Sequence, residues 1–196
     1  MATHPNIEVE TGPGAGTLAD ENALLRASLA EMRERLQDLE RIADTDTLTP
    51  LPNRRRFLRE LERVVSQSNR HGTPGAVLYI DLNSLKAIND RYGHVAGDAA
   101  LIHVARLLQS LIRTSDVVAR IGGDEFGLIL DHLDHNSAIE TAERLARCIA
   151  SSPLDLGGVA VPLQAAIGVA TIVPGDGADD VMQRADRNMY RAKSEF

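Results

Sequence analysis

Residues 116–130 read DVVARIGGDEFGLIL, and the interpretation of the whole chain starts from this stretch. Two apolar runs rich in Val and Ile flank the pair Gly122-Gly123. Such runs on either side of a glycine turn are typical of a β-hairpin. Asp124 and Glu125 follow the glycines directly, so the sequence predicts two carboxylates at the tip of the hairpin.

The rest of the chain alternates between helical and strand periodicity. Helices are predicted over residues 53–70, 97–113, 136–151 and 178–196. Strands are predicted over residues 76–81, 116–121, 126–130, 158–163 and 164–173. Strands interleaved with helices, some joined by hairpins, indicate an α/β (α+β) fold in which helices flank a central mixed, mainly antiparallel sheet.

Composition excludes several classes of protein. The 196 residues are 43 % hydrophobic, which is enough for a core, and the net charge of −7 argues against a nucleic-acid or anionic-membrane partner. Cys148 is the only cysteine, so an internal disulfide framework is excluded and a reducing cytoplasm is the expected location. Residues 1–10 lack the pattern of a signal peptide, and no apolar run reaches the roughly 20 residues that span a bilayer.

The N-terminal region has two parts. Residues 1–17 are rich in glycine without periodicity and are predicted to be a disordered tail. Residues 18–43 carry a heptad pattern. Its d positions are Leu18, Leu25, Met32 and Leu39, and its a positions are Asn22, Leu29, Leu36 and Ala43.

This heptad predicts a parallel, dimeric coiled coil, and the single Asn at an a position favours two strands in one register. Glu21 would face Arg26 of a partner helix, and Arg35 would face Glu40. The alternative is a single amphipathic helix that packs on its own domain.

A third acid, Asp81, ends the predicted strand 76–81. Ligand sites in open α/β sheets favour the carboxyl ends of strands. If the hairpin lies beside this strand, Asp81 converges with Asp124 and Glu125, and three crowded carboxylates require a cation. Oxygen ligands of this kind suit Mg²⁺ or Mn²⁺ bound together with phosphates. The alternative is a solvated acidic turn.

The hairpin belongs to an ordered set of motifs. They are DTLTPLPNRR at 46–55, DLNSLKAIND at 81–90, Gly93-His94, Gly97-Asp98, RIGGDEF at 120–126, Ala185-Asp186 and YRAK at 190–193. In this order and spacing the set resembles the GGDEF domain family of diguanylate cyclases over residues 44–193. Asn83 and Leu85 depart from the Asp and Phe of many family members.

The resemblance implies a palm-like nucleotidyl cyclase fold over residues 44–196. It also implies a reaction that joins two GTP molecules into cyclic di-GMP with loss of two pyrophosphates. Two Mg²⁺ (or Mn²⁺) ions per half-site would be held by Asp81, the Leu82 carbonyl, Asp124 and Glu125. Asp124, or Glu125 in its place, would accept the proton of the attacking hydroxyl.

The remaining site residues also follow from the resemblance. Asn89 and Asp98 match the pair that binds guanine, although Asp98 alone also suits a helix N-terminus. Lys86 and Lys193 match lysines that contact phosphates. Gly122 and Gly123 would let backbone N–H groups approach a phosphate closely, and His94 would serve either structure or a phosphate contact. Lys86 is grouped with the catalytic residues as well. Since one domain binds one GTP, two half-sites must meet across a two-fold axis, and the heptad would supply the homodimer.

Arg113 and Asp116 match the inhibitory RxxD motif of the family, which binds the product. An arginine fork and an Asp acceptor suit the edge of a guanine base. Without a ligand, the same residues read as a helix-ending Arg and a turn Asp. Two other functions fit the chain as a whole: a catalytically dead sensor of GTP or cyclic di-GMP, and a structural dimerisation protein.

Overall fold

The computed structural model describes residues 14–83 and 85–194 of the chain. They divide into two compact units, one up to residue 43 and one from residue 44 onward, and each is described by itself. No helix in this part of the chain combines the length and apolar character needed to cross a membrane.

The described residues of the first unit form one helix, α1 (Gly14–Asp44). It takes in residues 14–17, which the sequence analysis assigned to the tail. A helix that is already nucleated extends at little cost, which explains the added turn. Residues 1–13 lie outside the described residues.

The heptad stripe of α1 is exposed. Its large apolar side chains are 50–63 % exposed: Leu18, Leu25, Leu29, Met32, Leu36 and Leu39. Within the helix, Arg35 bonds Glu31 at 2.7 Å. This i, i+4 pair competes with the interhelical pairing that the sequence predicts for Arg35.

The second unit contains five helices and six strands among its described residues. The helices are α2 (Arg54–His71), α3 (Leu85–Tyr92), α4 (His94–Leu111), α5 (His135–Ala150) and α6 (Ala178–Ser194). The strands are β1 (Gly75–Asn83), β2 (Val117–Arg120), β3 (Glu125–Asp131), β4 (Leu154–Asp155), β5 (Ala160–Val161) and β6 (Gln164–Ile172).

Four strands form the main sheet in the order β2-β3-β1-β6, and all neighbours are antiparallel. A single parallel bridge joins Asn53 to Arg120. The predicted mainly antiparallel sheet with flanking helices is therefore confirmed. One face of the sheet packs on α4 and α5, and the other packs on α2 and α6.

Two elements differ from the sequence prediction. The strand expected over residues 158–163 shrinks to β5, which pairs only with β4 in a separate two-stranded sheet. Pro162 cannot donate to a ladder, and Gly157 and Gly158 have positive φ, so extended pairing stops on both sides. The helix predicted to begin at residue 97 begins at His94, and α3 was not predicted as a separate helix.

Candidate active site

The central relationship is the register of β1 and β3, in which Asp81 stands directly opposite Glu125. Opposite residues of an antiparallel pair share one face of the sheet. The same alternation puts Val77 and Tyr79 against α2 and α6, so the two carboxylates lie at the end of that face. The hairpin therefore lies beside the Asp81 strand, as the argument from sequence required.

The turn between β2 and β3 brings the third acid close. The backbone N–H of Leu82 donates to the Asp124 carbonyl at 2.9 Å, which continues the ladder into the turn. Gly122 is required for space, because a Cβ there would lie 2.0 Å from Oε2 of Glu125. Gly123 is exposed, and a Cβ there would meet no atom within 4 Å. Gly122 thus makes room for the Glu125 carboxylate, and Gly123 leaves the tip of the hairpin open to solvent.

Lys193 reaches this site from the last turn of α6. Its Nζ lies 2.6 Å from Oδ1 of Asp81, whose residue is only 6 % exposed. The hydrogen bond to Asp81 raises the pKa of Lys193 above its usual value, and the charges of Asp81, Asp124 and Glu125 act in the same direction. All three acids therefore act electrostatically on one ammonium group.

Close packing of α6 on the sheet makes this reach possible. A Cβ on Gly168 of β6 would lie 2.1 Å from the backbone nitrogen of Met189 and 2.2 Å from the carbonyl oxygen of Ala185. The helix backbone therefore rests directly on this glycine. Lys193 is held one turn farther along the same rigid helix.

The donor set fits a hard divalent cation in its chemistry. Carboxylate and carbonyl oxygens are the ligands that Mg²⁺ prefers, and the ammonium on Asp81 shows that this acid attracts a cation. Among residues 14–83 and 85–194, however, no three His, Cys, Asp or Glu side chains are arranged to hold one ion. The Glu125 carboxylate lies next to Gly122.

The predicted guanine pair lies on the two helices that follow β1. A Cβ on Gly97 of α4 would lie 1.9 Å from Oδ1 of Asn89 on α3. The Asn89 amide therefore occupies the space that a side chain at residue 97 would fill. That oxygen is buried and makes no hydrogen bond within the part of the chain that the structure describes. Asp98 follows Gly97 and is exposed.

The new start of α4 weakens the alternative role of Asp98. Because the helix begins at His94, Asp98 is its fifth residue and lies beyond the first turn, where the helix dipole acts most strongly. Lys86 on α3 and His94 are exposed. Four of the residues predicted to contact the base and the phosphates thus lie on α3 and α4, the two helices that Gly93 separates in the chain.

Two residues that sequence reasoning did not assign support the acids. Arg120 bonds the Gly123 carbonyl through Nε and Nη2 and contacts Asp46 through Nη1 at 3.2 Å. Tyr79 is buried on the same face of the sheet, two residues before Asp81. Burial is the larger cause that raises the pKa of Tyr79, and the charge of Glu125 is the second. Both Arg120 and Asp46 stand in the quoted motifs, but only the fold brings the motifs together.

The second predicted site lies at the start of β2, the end of that strand away from the turn. Arg113 and Asp116 line a cavity of about 390 Å³ together with Arg56 of α2. The backbone N–H of Arg113 donates to Oδ2 of Asp116 at 3.0 Å, which is the turn expected without a ligand. Both residues also line an adjoining cavity with Arg144 of α5, a third basic residue that the sequence did not indicate.

Comparison with known proteins gives consistent matches. The family model "Diguanylate cyclase, GGDEF domain" matches residues 43–196. The bifunctional diguanylate cyclase/cyclic di-GMP phosphodiesterase MucR of Pseudomonas aeruginosa is 39 % identical over 175 residues, which cover 88 % of this chain and 25 % of MucR. Diguanylate cyclase TpbB of the same species is 39 % identical over 181 residues, which cover 89 % of this chain and 41 % of TpbB.

A solved structure agrees in both units. The coiled coil and GGDEF domain of DgcB from Caulobacter crescentus, in complex with c-di-GMP, superposes with a TM-score of 0.82 at 28 % identity. The match covers 91 % of this chain and 95 % of that one. The chain spans between a quarter and two fifths of the length of MucR and TpbB. With the family model matched from the end of α1 onward, and with Asp81, Glu125 and Lys193 together at one end of the sheet, this chain belongs to the GGDEF domain family.

Proposed function

We propose that this chain is a diguanylate cyclase that converts two GTP molecules into cyclic di-GMP and two pyrophosphates. The observation that carries the proposal is the pairing of Asp81 with Glu125 on one face of the sheet, with Lys193 on Asp81. A catalytically dead member of the family would not need these groups in register.

In this proposal Asp81, the Leu82 carbonyl, Asp124 and Glu125 hold two Mg²⁺ (or Mn²⁺) ions in each half-site. When bound, these ions neutralise the triphosphate and stabilise charge at the α-phosphorus. Asp124 accepts the proton of the attacking ribose 3′-hydroxyl. Its position in the open turn leaves it more freedom than Glu125, whose carboxylate rests against Gly122.

The other residues bind and orient GTP. Asn89 and Asp98 hydrogen-bond the guanine edge from α3 and α4. Phosphate contacts come from Lys86, Lys193 and His94, and from the backbone N–H groups of Gly122 and Gly123. Only α3 and α4 carry the base contacts, whereas the phosphate contacts come from α3, α4, α6 and the turn between β2 and β3.

The reaction requires two such half-sites, which we propose are brought together by a parallel coiled coil of α1. Half or more of each large heptad side chain is exposed in the single chain, and a second α1 would bury this stripe. Linking the two domains raises their effective concentration. The orientation of one domain relative to the other then controls the reaction rate.

We further propose that cyclic di-GMP binds at Arg113 and Asp116 and inhibits the enzyme in the cytoplasm, where the protein works. The cavity of about 390 Å³ at these residues supports this proposal. Arg144 adds a second guanidinium to the adjoining wall.

One assay tests the main proposal. The protein is incubated with GTP and Mg²⁺, and cyclic di-GMP and pyrophosphate are measured by chromatography. We expect two pyrophosphates for each cyclic di-GMP, and we expect Asp81→Asn to abolish both products. Asp90→Asn, an exposed acid on α3, is the matched control. GTP binding without turnover would support a sensor, and neither binding nor turnover would support a structural protein.

A further inference from the structure

The ion pair between Lys193 and Asp81 is unequal in its surroundings. The Lys193 side chain is 43 % exposed, whereas that of Asp81 is 9 % exposed. Lys193 also lies in the last turn of α6, and its ammonium is carried on a flexible four-carbon stem. The carboxylate is therefore fixed, and the ammonium is the partner that is free to leave.

The two proposed partners of Asp81 compete for the same atom. Nζ bonds Oδ1 at 2.6 Å, which is the distance of a strong charge-assisted hydrogen bond. A divalent ion that binds this oxygen must displace the ammonium from it. Lys193 would then lie among Asp124, Glu125 and the phosphates of the substrate, and the phosphates carry the largest negative charge.

We propose that Lys193 is the resident counterion of Asp81, and that metal binding transfers it from Asp81 to the substrate phosphates. The inference rests on the metal site of the proposed function. Its consequence is a positive coupling: metal binds weakly without nucleotide because it must displace Lys193, and nucleotide offers the displaced ammonium a new partner. By linkage, metal and nucleotide strengthen each other by the same factor.

Removing Lys193 should therefore change the two affinities in opposite directions. Without nucleotide, Lys193→Met should bind Mn²⁺ about three- to tenfold more tightly, because the competitor is gone. The same variant should bind nucleotide more weakly at saturating Mn²⁺. A lysine that only contacted phosphate would change the nucleotide affinity alone.

The experiment is a titration of nucleotide-free protein with Mn²⁺, followed by electron paramagnetic resonance of the free ion. Arg191→Met is the matched control, since Arg191 is an exposed basic residue two positions away on α6 and faces a different direction. We expect Arg191→Met to stay within about twofold of the unmodified protein. Nucleotide affinity is measured with an αβ-methylene analogue of GTP, which the enzyme cannot cleave.

The outcomes separate this inference from the proposed function. Tighter Mn²⁺ binding and weaker nucleotide binding in Lys193→Met support the transfer. Mn²⁺ affinity that is unchanged or reduced relative to Arg191→Met overturns it, as does unchanged nucleotide affinity. If the Asp81→Asn change has no effect on Mn²⁺ binding, either alone or combined with Lys193→Met, the metal site itself is contradicted.

Discussion

The guanidinium of Arg120 donates a 2.7 Å hydrogen bond from Nη2 to the carbonyl oxygen of Gly123. Its Nη1 lies 3.2 Å from Oδ1 of Asp46, so one side chain joins the turn at the active site to the segment that precedes α2. The Arg120 and Asp46 side chains are 14 % and 16 % exposed. A contact this well shielded positions the turn more firmly than a surface ion pair would.

Replacing Arg120 should therefore loosen the turn. We expect Arg120→Ala to reduce the free energy of unfolding by about 1–3 kcal/mol, because it leaves Asp46 and the Gly123 carbonyl without this donor. Cyclic di-GMP production should fall by about tenfold or more. Denaturant unfolding and the GTP assay measure the two effects.

The pH dependence provides a check on the same contact. Burial raises the pKa of Asp46, but hydrogen bonds from Thr49 and Arg120 outweigh it, and the net pKa is lowered. Because the pKa of Asp46 is lower in the folded protein, the group stabilises the fold at pH values above its pKa in the unfolded chain. This stabilisation is lost as the pH falls through the pKa of the folded state. Arg120→Ala should thus lose less stability than the unmodified protein on acidification. Equal acid dependence in both would contradict the role of the pair.

Gly122→Ala should separate catalysis from folding. The added Cβ would meet Oε2 of Glu125, the end of a flexible side chain, so the carboxylate moves while the hairpin stays folded. We expect kcat to fall at least tenfold more than in Gly123→Ala, where the Cβ meets open space. Circular dichroism melting checks that both variants fold. Similar losses in the two variants would argue against a role for the Glu125 position.

Gly97→Ala should weaken GTP binding while the helix becomes no less stable. Gly97 is the fourth residue of α4, and Ala favours a helix over Gly by up to about 0.5–1 kcal/mol. Its Cβ, however, would occupy the position of the Asn89 amide oxygen and displace that side chain. We expect KM for GTP to rise about tenfold, with Tm unchanged or higher. A higher Tm with unchanged KM would show that Asn89 does not bind the base.

The coiled-coil proposal predicts a periodic response to insertion. One or two residues inserted after Leu39 should change turnover, because each residue rotates the helix by about 100° relative to the domain that follows. An insertion of seven residues preserves the heptad and should retain more activity. Cyclic di-GMP production and sedimentation of each variant are the measurements. The same turnover in all insertions would rule out control by register.

Arg113→Ala should remove product inhibition. The variant loses a donor from the wall of the cavity next to Asp116, while the acids at the turn are left intact. We expect initial rates close to those of the unmodified protein and a half-inhibitory cyclic di-GMP concentration at least tenfold higher. Arg106→Ala, an exposed arginine on α4 outside both cavities, is the control. If product inhibition persists in Arg113→Ala, cyclic di-GMP does not inhibit through Arg113 and Asp116.

The sequence alone determined much of this protein, because the relevant signals are local. The period of the apolar residues predicted α1, α2, α5 and α6, and the Gly122-Gly123 pair predicted the hairpin. The motifs indicated the family and identified Asp81, Asp124 and Glu125 as the acids of the site. Local signals failed where β5 meets Pro162, because strand length depends on a partner that the sequence does not specify.

Only the tertiary structure decided which motifs meet. Residue 81 and residue 125 become neighbours because β1 and β3 pair in one particular register, and a slip of one residue would put them on opposite faces. Lys193 reaches Asp81 across 112 positions because α6 packs directly on Gly168. Arg120 likewise selects Asp46 and the Gly123 carbonyl through packing. These choices depend on distances between segments far apart in the chain, which no local pattern encodes.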